Sequence, residues 1–414
     1  MTIAVLLGIG LGGAVPQGGT TYRSSELGWK AAQEVSREFG ALVRRLKPGD
    51  RGLLEDRYEL RGGPYPFPDD FVLEAVPGAG FNITDTSPTT TFFLGNRNVI
   101  RNLTVAHPRA PRDTPKTTDP RRDVDYVVKK VFVCDGKDGV VFEYCRFEGN
   151  IGSHVSLKGG RGHVLRHSHI MGGYWAVTLE EACLDCTIQY TFFQDVHGEC
   201  LKTLRGHQAG TQRALIEHCV FQGAWRDGID TTGGFKDSVV RDCLFRRNDV
   251  GGVGGGIDLK KIIEAETVEG DLHPNVLHTN IRIERCEFID VPNAVVVSLI
   301  DRANALTGAS AQTWAPHDIH IDDCVVEKTE GWPHPVRFLL VKGGHGICWK
   351  DLQRRGDVLL RKESDFKVGR DKVVAALFKD IGGTERPPAA PRPYREKVPF
   401  EYGPRPLPMD SPRK

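Results

Sequence analysis

Ile216-Glu-His-Cys-Val-Phe221 and Val240-Arg-Asp-Cys-Leu-Phe245 share one pattern: an apolar residue, two polar ones, a small residue, one more, then an apolar one. The pattern returns as Ile100–Val105, Val141–Phe147, Leu165–Ile170, Ile188–Phe193, Ile283–Phe288 and Ile321–Val326. Between Cys145 and Cys243 the steps are 23, 23, 28 and 24 residues, and elsewhere they lengthen to about 40, as insertions would cause. Between these copies lies a second set of short alternating segments: Val155–Lys158, Val177–Glu180, Leu201–Leu204, Ile229–Thr232, Ile257–Lys260 and Val295–Ser298. Alternation puts one set of side chains inside and the other outside. A repeat of this length with two or three short strands is too short for a propeller blade and lacks the leucine signature of a horseshoe. It predicts an all-β fold, a right-handed parallel β-helix built as a single-stranded solenoid.

The recurring small position explains five of the ten cysteines. Equivalent inward positions of a β-helix stack at the strand spacing of about 4.8 Å. Cys145, Ser168, Thr191, Cys219, Cys243, Cys286 and Cys324 then form one buried column, where a free cysteine acts as a small hydrophobe. Cys183 and Cys186 form a C-x-x-C with no second pair at zinc-ribbon spacing, so no metal site is expected from the cysteines.

The 414 residues carry 55 Lys and Arg against 54 Asp and Glu. That balance gives no general nucleic-acid footprint, and no apolar run approaches the roughly 18–20 residues that span a bilayer. The partner expected is an anionic polysaccharide, with no nucleic acid and no membrane. Residues 1–17 hold an apolar stretch, Ile3–Leu11, followed by small residues, which reads as a secretory segment and places the protein outside the cytoplasm, secreted or periplasmic. An amphipathic helix over Ser25–Leu46 (Leu27, Ala31, Val35, Phe39, Leu42, Val43) is expected to cap the first coil, which starts at Lys47–Leu60. The β-helix with its cap is assigned to 18–350, and a C-terminal cap with a Pro-rich tail to 351–414. Pro108–Arg122 is a basic, Pro-rich insertion.

The capping helix, the Pro48-Gly-Asp first coil and the Cys-x-Phe coils together resemble the pectate-lyase-like β-helix superfamily. The layout is similar to polysaccharide lyases of the alginate lyase and chondroitinase B type. The scaffold also carries hydrolases, epimerases and phage tailspikes, so the site must decide the function.

The outward positions of the alternating segments form two columns: Ser156, Thr178, Lys202, Asp230, Asp258, Val296, and Lys158, Glu180, Leu204, Thr232, Lys260, Ser298. Just before these strands come His154, Tyr174, Trp175, His197, Glu199, Trp225, Arg226 and Asp227. Charged and aromatic groups concentrate in the middle coils, which suits a groove for a charged sugar chain. The resemblance implies β-elimination at a uronate: a base removes the C5 proton, cations stabilise the enolate, and an acid protonates the leaving oxygen. Glu199-Cys-Leu-Lys-Thr-Leu-Arg205 resembles the Glu-then-Lys strand of those lyases. Lys202 is therefore the candidate base, its pKa lowered by Arg205 and Arg226. Tyr174 is the partner acid or second base, and Arg226 and His197 complete the catalytic set. Lys158, Glu180, Glu199, Arg205, Trp225, Asp230, Asp258, Lys260 and His154 are the expected substrate contacts. The resemblance also implies a calcium site built on two closely spaced glutamates. Asp195-Val-His-Gly-Glu199 lacks that pair, so no cofactor is expected.

A second class is a glycoside hydrolase or fructan-processing transferase on the same fold, using two carboxylates. Asp230 with Asp258, Asp227 with Asp230, and Asp185 with Asp195 are the candidate pairs. Asp227-Gly-Ile-Asp230 is similar to the Asp-Gly-Ile-Asp strand of polygalacturonases, and Gly344-His-Gly346 to their Gly-His-Gly, here expected in a turn. A third class is a carbohydrate-binding spike without activity.

Overall fold

A computed structural model describes residues 19–84, 90–107, 130–149, 152–204, 210–248, 255–363, 367–368, 372–373 and 378–387. Residues 1–17, Pro108–Arg122, Arg205 and the tail beyond 387 lie outside the described residues, and so do the expectations placed on them.

Each repeat of the Cys pattern is two strands, not one. Leu215–Glu217 and Val220–Gln222 belong to different faces, and the chain turns between them at His218 with φ 53°. The same left-handed residue recurs as Asn102, Tyr144, His167, Tyr190, Asp242, Arg285 and Asp323. With the alternating segment, every coil has three strands, and each pairs in parallel with its equivalent one coil on. The third face is an 11-stranded sheet running from Tyr65–Pro66 to Val358–Glu363. Nearly every regular element is a strand of this stack, so the molecule is a right-handed parallel β-helix.

The bend gives the small column a chemical reason. The carbonyl before each left-handed residue stays in the ladder, Glu217 O accepting Tyr190 N–H and Arg241 O accepting His218 N–H, and the residue after the bend gives it a second donor. Cys219 Sγ donates to Glu217 O at 3.3 Å and Cys243 Sγ to Arg241 O at 3.2 Å. Ser168 Oγ does so to Arg166 O at 2.9 Å and Thr191 Oγ1 to Gln189 O at 3.0 Å. The position therefore takes a small side chain with a donor, buried in the core. All ten cysteines are free thiols, Cys183 and Cys186 included.

Two residues further on, Phe193, Phe221, Phe245 and Phe288 stack face to face at 4.9, 4.7 and 4.8 Å. This ladder fills the interior behind the third face. It also dictates glycine there: a Cβ at Gly228 would stand 2.6 Å from Phe245.

The capping helix is shorter than its apolar spacing suggests, covering Ser36–Val43 only. Phe39 caps the coil and meets Tyr65, Phe67, Phe81 and Phe92 edge-on. The preceding residues are drawn into the open sheet edge instead. Ala32 N donates to Arg57 O, Val35 N to Glu59 O, and Glu59 N to Gln33 O. Unpaired strand groups outweigh the propensity of a short helix here. At the other end the solenoid runs past residue 350. Val358–Glu363 pairs with Val336–Lys342, and Ile381–Glu385 with His345–Arg355, so these strands are further coil, while Lys367–Val368 and Lys372–Val373 pair antiparallel with each other as a separate sheet. Gly344 lies between two strands, but His345 and Gly346 belong to the strand His345–Arg355, so the turn expected over Gly344-His-Gly346 reaches only its first residue.

Replacing Phe245 by Ala removes the centre of the aromatic ladder and is expected to cost about 3–5 kcal/mol. Chemical unfolding midpoints of wild type and F245A measure this. A change below about 1 kcal/mol would show that the stack does not hold the coils together.

Candidate active site

The two outward columns read from the sequence are the columns of the third face. Thr178 pairs with Lys202, Lys202 with Asp230, Asp230 with Asp258 and Asp258 with Val296. Glu180 pairs with Leu204, and Lys260 with Ser298. A further outward position comes from the bend before each strand. There Ala176 N bonds to Glu199 O, and Cys200 N to Asp227 O, so Trp175, Glu199 and Asp227 follow one another along the solenoid.

These columns meet in one charged cluster. Lys202 Nζ donates to Asp230 Oδ2 and, at 3.4 Å, to Glu199 Oε1. Lys260 Nζ reaches Asp230 Oδ2 at 3.2 Å and Asp258 Oδ2 at 2.7 Å. Thr232 Oγ1 donates to Asp230 Oδ1 at 2.7 Å. Glu199 also accepts Trp175 Nε1–H at 2.7 Å and lies 3.5 Å from Arg226 Nη1. Asp227 Oδ1 accepts the Gly255 N–H at 2.5 Å. Carboxylate oxygens of Glu199, Asp227 and Asp230 all lie within 4.8 Å of one another.

Burial and charge split the carboxylates. Asp227 and Asp230 are 2 % and 1 % exposed. Burial, reinforced by Asp258, pushes the Asp227 carboxyl well above the usual carboxylate range. Burial pushes Asp258 upward too, against the pull of Lys260. Asp230 goes the other way: burial would raise it, but Lys202 and Lys260 outweigh that and hold it ionised. Two neighbouring carboxylates are thus pushed in opposite directions.

The lysine expected to be a neutral base is an ammonium. Burial alone would lower its pKa, but Asp230 and Glu199 raise it above the ordinary lysine value. Sequence reading weighed Arg205 and Arg226 and missed that Glu199, at the bend three residues before Lys202, turns outward onto it. The alternative of an ion pair with Asp230 holds, while the one with Glu180 does not. Glu180 is taken by Lys130, at 2.6 Å, and by Ser156 and Thr178. The Lys202 ammonium also occupies the place between Glu199 and Asp230 that a calcium ion would need. The three carboxylates do not fit the ion with Lys202 there.

Other expected contacts are distributed unevenly. Tyr174 is buried, packs on Trp175 at 4.9 Å between ring centres, and lies beneath Gly198, with Arg226 bonded one coil further on. His197 is buried at the same bend. Trp225 is half-buried there. Lys158 stands apart, paired with Asp135 and Glu181. His154 is a correction: it occupies an inward position, 1 % exposed, over Phe147. Its strand bends so that Ser153 and Ser156, not His154, face outward, and it cannot touch substrate there. Asp185 is held by Arg213 and Arg161 on another edge of the coil, away from Asp195.

No family model and no curated protein matches the chain. Solved structures do. A polygalacturonase from Erwinia carotovora ssp. carotovora aligns with a TM-score of 0.56 at 12% identity, over 82% of this chain and 97% of that one. DFA-IIIase from Arthrobacter chlorophenolicus A6, solved with DFA-III, gives 0.55 at 9% identity, over 86% and 87%. A Streptococcus pneumoniae surface protein and adhesin gives 0.54 at 12%, over 89% and 100%. At these identities the likeness is one of fold alone, the right-handed parallel β-helix. It does not single out the alginate lyase and chondroitinase B type.

Two stability results follow. Lys202→Met removes one of the two ammonium partners of Asp230 and leaves Glu199 to Arg226 and Trp175, and is expected to cost about 3 kcal/mol, read from unfolding midpoints; a neutral effect would mean that the cluster is solvated. For His154, burial pulls the folded-state pKa down to about 4. The unfolded chain binds the proton at about 6.5, so stability is full above that value and falls as pH drops towards 4. At pH 5 the loss is about 2 kcal/mol relative to pH 7. H154L should lack that share of the decline, and an identical pH profile would contradict the burial of a neutral imidazole.

Proposed function

We propose that the chain is a carbohydrate-active enzyme that cleaves the glycosidic bond of an acidic polysaccharide with an Asp227–Asp230 pair, by hydrolysis or transfer. The observation that carries this is the split of the pair. A protonated Asp227 can give its proton to a leaving glycosidic oxygen, and an ionised Asp230 can act as base or nucleophile. Carboxyl groups as near as these favour the retaining geometry, whose separation is about 5–5.5 Å, over the wider inverting one. Arg226 and Lys260 are the cations nearest solvent above the pair, with side chains 26% and 22% exposed. Trp175 beside them offers a ring to a sugar. These groups favour a uronate or similarly charged unit. The neighbours with the same fold include a polygalacturonase and DFA-IIIase.

β-Elimination is the second reading. It rests on Tyr174 and Arg226, which stand one coil to either side of Gly198 and flank Glu199, as a phenol that moves a proton and a cation that neutralises a carboxylate. Lys202 enters it only as a fixed charge.

The test is incubation with polygalacturonate, alginate, glucuronan and glycosaminoglycans, followed for both reducing ends and ultraviolet absorbance. The expected result is new reducing ends with no rise in absorbance. Asp227→Asn keeps the shape of a neutral carboxyl but cannot donate its proton, so it should lower turnover by at least about a hundredfold. An ultraviolet rise that survives D227N and disappears in a Tyr174→Phe variant would overturn the hydrolytic reading in favour of elimination.

A further inference from the structure

On another face of the solenoid, away from the carboxylate cluster, three side chains line up in order. His320, on His317–Asp322, pairs across the strands with Cys348, on His345–Arg355. Cys348 Sγ and His320 Nδ1 are 3.0 Å apart, and His320 Nε2 is 3.0 Å from Asp318 Oδ1. An ionised Asp318 can only accept, so it fixes the imidazole with the proton on Nε2. Nδ1 is then left bare, facing the thiol. This is the order nucleophile, base and orienting carboxylate.

Access sets this thiol apart from the others. The nine other cysteines are buried, and burial pushes Cys134 and Cys145 up to about 12. Cys348 is partly exposed, and the side chains of His320 and Asp318 are 42% and 52% exposed. The next position after Cys348 along the sheet is Gly382, around which there is open space. On the opposite side the neighbour of His320 is Arg282, an exposed cation with Glu284 at 3.9 Å. The thiol therefore has a base on one side, a clear approach on the other and a positive charge two strands away. Burial, Asp322 and Asp318 raise the Cys348 pKa, so thiolate forms there only if a base takes the proton.

We propose that Asp318, His320 and Cys348 form a thiol-exchange site that takes small anionic disulfides. As the Cys348 Sγ–H proton passes to His320 Nδ1, Sγ attacks one sulfur of the incoming disulfide. The new bond joins Cys348 to that sulfur, and the old sulfur–sulfur bond breaks. The leaving thiolate collects the proton from His320 and departs as a thiol. Cys348 is oxidised to a mixed disulfide, and the departing half is reduced. Arg282 supplies the preference for a disulfide that carries carboxylates.

The experiment is to incubate the native full chain with glutathione disulfide and follow adduct formation by intact mass, with unfolded protein as the control. One glutathionyl adduct per chain is expected in the native state, and none in C348S. His320→Gln should slow the reaction at least about tenfold, and Asp318→Asn should slow it too. Arg282→Gln should slow glutathione disulfide but not an uncharged dipyridyl disulfide. The thermal midpoints of these surface variants should match the wild type. Three outcomes would overturn the proposal: no native adduct, an adduct that persists in C348S, or an adduct formed at the wild-type rate in H320Q.

Discussion

Everything in this molecule depends on the register between coils. Because each strand pairs in parallel with its equivalent in the next coil, a residue type repeated at the right step becomes a column at the strand spacing. The Phe193–Phe221–Phe245–Phe288 ladder and the Cys, Ser and Thr donors behind each bend are two such columns. They fix the interior so closely that a glycine is required at Gly228, next to Phe245. That glycine lies between Asp227 and Asp230, so the packing of the core sets the spacing of the acids on the outside.

The same register builds the charged cluster. Asp227 and Glu199 sit at the bend, Lys202, Asp230 and Asp258 on the strand, and Lys260 at its far end. None of these charges is stable in the floor alone, because a buried carboxylate without a partner costs several kcal/mol. The two lysines outweigh burial at Asp230, whereas at Asp227 burial and Asp258 outweigh the pull of Lys260. The division of roles between the acids is thus a consequence of which cations the neighbouring coils deliver.

Much of this was legible in the sequence. The step between cysteines gave the coil, and alternation in the third strand assigned both outward columns residue by residue. What the repeat could not show was the bend inside each motif copy, since a left-handed Tyr144 or His218 carries no glycine to announce it. It also could not show the small bulge before each strand of the groove face, which turns His154 inward and Glu199 outward. Missing Glu199 as a neighbour of Lys202 made that lysine look like a base. The Ser25–Leu46 helix failed for a different reason: its apolar spacing was real, but the open sheet edge offered hydrogen bonds that a helix does not. The pairing of His320 with Cys348 depends on a register 28 residues apart in an irregular part of the repeat, where the sequence gives no constant step.

The central claim is that Asp227 is protonated beside an ionised Asp230. Infrared difference spectroscopy at neutral pH, wild type minus D227N, addresses it directly. The account predicts a carbonyl stretch of a protonated carboxylic acid that is present in the wild type and absent in the variant. A difference showing only the bands of an ionised carboxylate would contradict it.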